Sequence, residues 1–109
     1  MDGDIINVDI TVFLNGHHGD CSKTFLIGNV DERGQYLVEH NEKSLNEAIK
    51  CCRPNQPFNV IGKTISRYAE KCNLRSVPAF IGHGIGSFFH GPPEIFHFGM
   101  QTNSLFIKL

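Results

Sequence analysis

Four side chains in this sequence are of types that hold a cation or move a proton: Asp9, Asp20, His83 and His90. Asp9 lies in NVDITVFL and Asp20 in NGHHGDCSKT, on either side of an Asn15-Gly16 pair. Asn-Gly is the strongest short hairpin signal. With a two-residue turn there, Leu14 faces His17, Phe13 faces His18, Thr11 faces Asp20 and Asp9 faces Ser22. Directly opposed residues share a face, so Asp9 and Asp20 become diagonal neighbours about 7–8 Å apart at the backbone. Two carboxylates that close repel when ionised. A shared proton, a basic residue or a cation must compensate, or else both are solvated surface acids. His83 sits between glycines in GHGIG, where a backbone can approach a ligand closely. His90 follows in FFHG. Each is either a hydrogen-bonded structural histidine or a ligand. Two Asp and one His form a mixed oxygen and nitrogen set, which suits Mn, Fe, Co or Zn better than a thiolate site would.

The elements that must position these residues follow from periodicity. Residues 4–14 alternate, with Ile6, Val8, Ile10, Val12 and Leu14 on one face and Asp9 and Thr11 on the other. That is a strand with one buried face. The turn returns the chain as a second strand over about 18–27, ended by Gly28 and Asn29. From Asp31, a plausible N-cap, to about Cys52 the reading is helical, with Leu37, Val38, Leu45, Ala48, Ile49 and Cys52 recurring at three- to four-residue spacing. Pro54 stops this helix. A second helix fits Phe58 to Cys72, with Ile61, Ile65, Tyr68, Ala69 and Cys72 on one stripe. A short strand is expected at Arg75–Ile81, and GHGIGSFFHGPPEIFHF reads as an irregular segment shaped around a site. Two strands, two helices and a strand make an α+β domain.

With 109 residues, 40% hydrophobic and 19% charged, the chain suits one globular domain rather than a disordered segment. A net charge of −1 gives no reason to expect nucleic acid or a membrane surface as partner. No apolar run approaches the roughly 18 residues of a membrane span. The start, MDGDIINVDIT, has the features of neither a secretory nor a mitochondrial import signal. Cys21, Cys51, Cys52 and Cys72 form no CxxC pair, so reduced, partly buried thiols in an intracellular protein are expected over disulfides or a zinc site. Cys21 is expected to pack on the apolar hairpin face opposite Ile10. His17 and His18 read as turn residues, His40 as a helix-surface residue, and Lys23 and Arg33 as solvated charges. His97 is left undetermined.

NVDITVFLNGHHGDCSKTF followed by GHGIGSFFHG resembles the type I methionine aminopeptidases of the pita-bread fold. The spacings from Asp9 to Asp20, Asp20 to His83 and His83 to His90 agree with that family over about residues 2–98. GSFFHGPPEIFH looks most like its mitochondrial branch. The resemblance implies a partial pita-bread fold, an antiparallel hairpin packed by two helices, in a metallopeptidase that removes the initiator methionine from nascent polypeptides. It implies divalent metal ions, two in the family, with Asp9, Asp20 and His83 as ligands and Asp20 bridging. His90 then contacts the substrate or the tetrahedral intermediate as the catalytic histidine, Phe89 belongs to the methionine side-chain pocket, and Thr11 supports the metal site.

The family also uses a histidine upstream of the DGD segment and two downstream glutamates, one in a TIEP-like strand. MQTNSLFIKL shows no such strand, and Glu94 matches neither glutamate motif. The expectation is therefore a catalytic domain over 1–98, truncated at both ends, with a divergent tail over 99–109 and little turnover. Two other readings remain open: a non-enzymatic product that binds a partner, and a pita-bread hydrolase acting on X-Pro bonds.

Overall fold

The computed structural model describes residues 1–99 and residue 107. Strands β1 (Ile5–Leu14) and β2 (His17–Leu26) form an antiparallel hairpin. Its register pairs Leu14 with His17, Phe13 with His18, Thr11 with Asp20 and Asp9 with Ser22, as the turn predicts. Asn15 and Gly16 both have positive φ, 50° and 80°. This is the turn whose twist matches the flanking strands, and it is why Asn-Gly stands there.

Two helices follow, α1 (Glu32–Cys51) and α2 (Asn59–Lys71). Asp31 caps α1, its side chain accepting from the Gly34 N–H at 2.7 Å. Tyr36 reaches Cys72, His40 reaches Tyr68 and Cys51 reaches Thr64, so the two helices run antiparallel. The buried members of α1 are Ser44 and Ala48. The inner stripe is therefore His40, Ser44 and Ala48, one turn apart each; of these the sequence pattern includes Ala48. Leu37, Leu45 and Ile49 are exposed. Small residues allow close approach to α2, and His40 is satisfied there. Its ring stacks 4.0 Å from that of Tyr36, and Nδ1 lies 3.0 Å from the Tyr68 hydroxyl and 3.3 Å from the Cys72 thiol. His40 is thus a helix-packing residue, not a surface one.

The strand expected at Arg75–Ile81 lies instead at Ile81–Gly84 (β3), paired antiparallel with a further strand, Gly91–Phe96 (β4). The segment read as irregular is thus a strand pair around the loop 85–90. A register shift between His83 and Gly84 sits at the site itself, where bulges re-aim side chains. Gly62 on α2 meets the backbone of β4 and its exit: a Cβ there would run into the carbonyls of Phe96 and Phe98.

The core of the described residues is small: Val30, Ala48 and Ala69 are its buried hydrophobics. The apolar hairpin face expected to be buried is open, with Ile10, Val12 and Leu14 at 55%, 57% and 71% exposure. Cys21 pairs with Ile10 but is exposed rather than packed. The four cysteines are free thiols. Among the described residues no helix is long and apolar enough to cross a membrane. The tail expected over 99–109 lies outside the described residues, apart from positions 99 and 107.

Candidate metal centre

The hairpin presents Asp9, Thr11, His18, Asp20 and Ser22 on one face, because alternate residues of each strand share a side. The β3–β4 pair approaches that face through His83 and through Gly86 in the loop that follows β3. Asp9, Asp20 and His83 line one cavity of about 270 Å³, together with Ser22, Gly82 and Ile85. His83 Nε2 stands 3.6 Å from Asp20 Oδ2, the two side chains being only 22% and 19% exposed. Residues more than sixty positions apart in sequence thus meet where the spacing of the motifs suggests. Three donors closing on one point are not seen among the described residues, and Asp9 stands back from the Asp20–His83 pair.

Each contact partner is itself held. Thr11 Oγ1 donates to Asp20 Oδ1 at 2.7 Å. His83 Nδ1 donates to the Gly84 carbonyl at 3.0 Å, a carbonyl being able only to accept. That bond leaves Nε2 facing Asp20 Oδ2. A cation placed between them would meet a nitrogen and an oxygen donor at once. Among the described residues no Lys or Arg forms an ion pair with Asp9 or Asp20. Two carboxylates and one imidazole, without a basic side chain to neutralise them, fit one divalent cation by donor type and charge.

The flanking glycines have a different task from the one their sequence suggests. A Cβ at Gly84 would run into the Pro92 carbonyl, and one at Gly82 would crowd Ile95 and His97. They allow β4 to lie close to β3 and so fix the His83 backbone, rather than admitting a ligand.

On its other side His83 lines a second cavity of about 670 Å³, shared with Phe80, Ile81, His90, Pro92 and Glu94. The rings of His83 and His90 are 4.4 Å apart, nearly perpendicular. Phe89 lies 3.9 Å from the His90 ring and 5.6 Å from that of His18. His90 therefore stands beside the Asp20–His83 pair, with Phe89 as its stacking support. Phe80 and Ile81 supply an apolar wall that sequence reasoning did not single out. Their position just before GHG in PAFIGHG is the only signal for it.

His18, read as an incidental turn residue, is tied to the loop. Both its backbone N–H and its ring Nδ1 donate to the Gly86 carbonyl, at 2.7 and 3.0 Å. His17 is a turn residue as expected, its Nδ1 donating to the Asn15 carbonyl. His97 is part-buried, and burial holds its imidazole below the ordinary value of 6.5.

The profile of metallopeptidase family M24 matches residues 1–105. The mouse protein named methionine aminopeptidase 1D, mitochondrial, is 59% identical over 97 residues, covering 89% of this chain and 29% of that relative. The chain thus spans less than a third of the length of this relative. The crystal structure of methionine aminopeptidase from Rickettsia prowazekii superposes with a TM-score of 0.92 at 36% identity, over 98% of this chain and 43% of that one. Prolidase from Pyrococcus furiosus superposes over 98% of this chain and 31% of its own with a TM-score of 0.84 at 18% identity, which shows the shared fold alone.

Proposed function

The chain belongs to metallopeptidase family M24, and on that premise we propose that its cleft serves metal-dependent removal of the N-terminal methionine from nascent polypeptides. The observation that carries the proposal is the facing pair Asp20 Oδ2 and His83 Nε2, 3.6 Å apart in a cavity that Asp9 also lines. The names of the relatives support the substrate and, for the 1D proteins, a mitochondrial compartment.

In this reading Asp9, Asp20 and His83 hold one divalent cation, of Co, Mn, Fe or Zn type, which when bound supplies Lewis acidity to the scissile peptide. Thr11 keeps the Asp20 carboxylate from rotating, and the Gly84 carbonyl keeps the His83 ring oriented. His90 offers its imidazole to the substrate beside that centre, as donor to the carbonyl oxygen or to the peptide nitrogen. Phe89 backs His90 by stacking, and Phe80 and Ile81 give an unbranched apolar side chain a wall to lie on. Within the domain we assign over residues 1–98, Asp9, Asp20 and His83 are the donors offered to that cation.

The test is release of methionine from a Met-Ala-Ser tripeptide with Mn or Co supplied. Release that needs the metal and is lost in Asp20→Asn is expected. Release indifferent to Asp20→Asn, or faster hydrolysis of an Xaa-Pro dipeptide, overturns the proposal. The Xaa-Pro reading rests on structural neighbours that share the fold at low identity, whereas the methionine reading rests on relatives with more than half of the matched residues identical.

A further inference from the structure

We propose that His18 is a positioning residue that sets the place of His90 relative to Asp20 and His83. The inference rests on the functional reading above for what His90 does, but not for where His18 holds it.

His18 and Asp20 stand two apart on β2 and so share its site face. With a two-residue turn, Leu14 and His17 are a hydrogen-bonded pair, so Phe13 and His18 are the next, non-hydrogen-bonded one. The His18 N–H therefore points away from β1, and it is free to leave the hairpin. It donates to the Gly86 carbonyl at 2.7 Å. The ring turns the same way, and Nδ1 donates to the same oxygen at 3.0 Å. A carbonyl oxygen has two lone pairs, and one residue occupies both.

The ring faces then continue the link. His18 lies 4.5 Å from Phe13 and 5.6 Å from Phe89 between ring centroids. Phe89 lies 3.9 Å from His90, and His90 4.4 Å from His83. An unbroken column of rings runs from the hairpin through the loop 85–90 to the imidazole that faces Asp20. Among the described residues the loop is also held at its ends by the Gly84–Gly91 pairing and at Phe89 by an edge-on contact with His83 at 5.8 Å. On its Gly86 side, Gly86 N–H donates to the Phe88 carbonyl at 3.2 Å, and Phe88 itself is exposed. The strand that carries Asp20 thus also carries the anchor of the loop that carries His90, and the two sides of the cleft share one rigid support.

Three variants separate the hydrogen bond from the stack. His18→Asn keeps a donor near the place of Nδ1, His18→Phe keeps a ring without the donor, and His18→Ala removes both. The readouts are amide hydrogen exchange at Gly86 and its loop neighbours, the NMR signals of the His90 ring, and divalent-metal affinity by calorimetry. Loss of one hydrogen bond predicts about five- to tenfold faster loop exchange in His18→Phe and His18→Ala, with His18→Asn close to the native protein. The His90 signals are expected to move in His18→Ala, while metal affinity stays within about twofold because Asp9, Asp20 and His83 are untouched. Native loop exchange and unmoved His90 signals in both His18→Phe and His18→Ala overturn the proposal. So does a lowered unfolding midpoint with no local change at the loop. Should His18→Ala fail to fold, the contrast between His18→Asn and His18→Phe decides. None of these readouts needs turnover. A chain that releases no methionine but shows the loop effect sinks the functional reading alone, and normal release with an unmoved loop sinks this inference alone.

Discussion

Thr11 Oγ1 donates to Asp20 Oδ1 across the hairpin at 2.7 Å. The two residues form a non-hydrogen-bonded pair, the kind whose side chains lie closest, so a short hydroxyl suffices to span the strands. This bond occupies one carboxylate oxygen and leaves Oδ2 to face His83. Thr11→Val keeps the shape and removes the donor. It is expected to weaken divalent-metal binding about tenfold, the usual size of such an outer contact, with the fold unchanged. Calorimetric titration checks it, and an unaltered affinity would show that Asp20 needs no orientation from Thr11.

The packing of α2 on β4 depends on Gly62, where an added methyl would meet two backbone carbonyls that cannot step aside independently. Gly62→Ala should gain helix propensity yet lose more to overpacking. A net loss of about 1–3 kcal/mol is expected in urea unfolding followed by circular dichroism. A neutral or stabilising effect would mean that β4 moves away from α2 at little cost.

Burial holds the His97 imidazole below 6.5, so the folded state takes up its proton less readily than the unfolded chain does. Between the ordinary value and the lower folded value, the unfolded state carries more protons, and stability rises with pH across that window. The stabilising contribution is complete above 6.5 and is lost as pH falls through the folded value. Urea midpoints should therefore drop from pH 7.5 towards about pH 5, and His97→Gln should drop less over the same interval. Parallel curves for the two proteins would remove His97 from the acid sensitivity.

Much of this molecule was legible in its residues, though unevenly. The hairpin register, and with it the shared face of Asp9 and Asp20, followed from Asn15-Gly16, because a tight turn counts residues in pairs. The two helices followed from periodicity and from Asp31 and Pro54. The inner stripe of α1 followed only at Ala48. Leu37, Leu45 and Ile49 are the more hydrophobic set, but Ser44 and Ala48 are the ones small enough for α2 to approach. The strand pair β3–β4 was hidden because glycine and proline read as loop signals, whereas here Gly82 and Gly84 are what let two backbones lie close. His18 and His40 were misjudged for a shared reason. Their partners, Gly86 and Tyr68, are distant in sequence, and nothing local announces a bond to them.

The positive-φ turn at Asn15 and Gly16 has a further consequence, for what kinds of change this segment can tolerate. Thr11 and Asp20 are nine positions apart, an odd separation, and an odd separation is what places two residues opposite each other across a two-residue loop. Replacing a turn residue costs some stability but preserves that parity. Inserting or deleting a single residue, if the loop stays at two residues, makes the separation even. Thr11 would then have no carboxylate opposite it, and Asp20 would pair with Ile10 or Val12 and point with it to the other side of the sheet. The segment should therefore accept many substitutions and almost no changes of length, so that its chemistry is stored less in the letters of the turn than in their number.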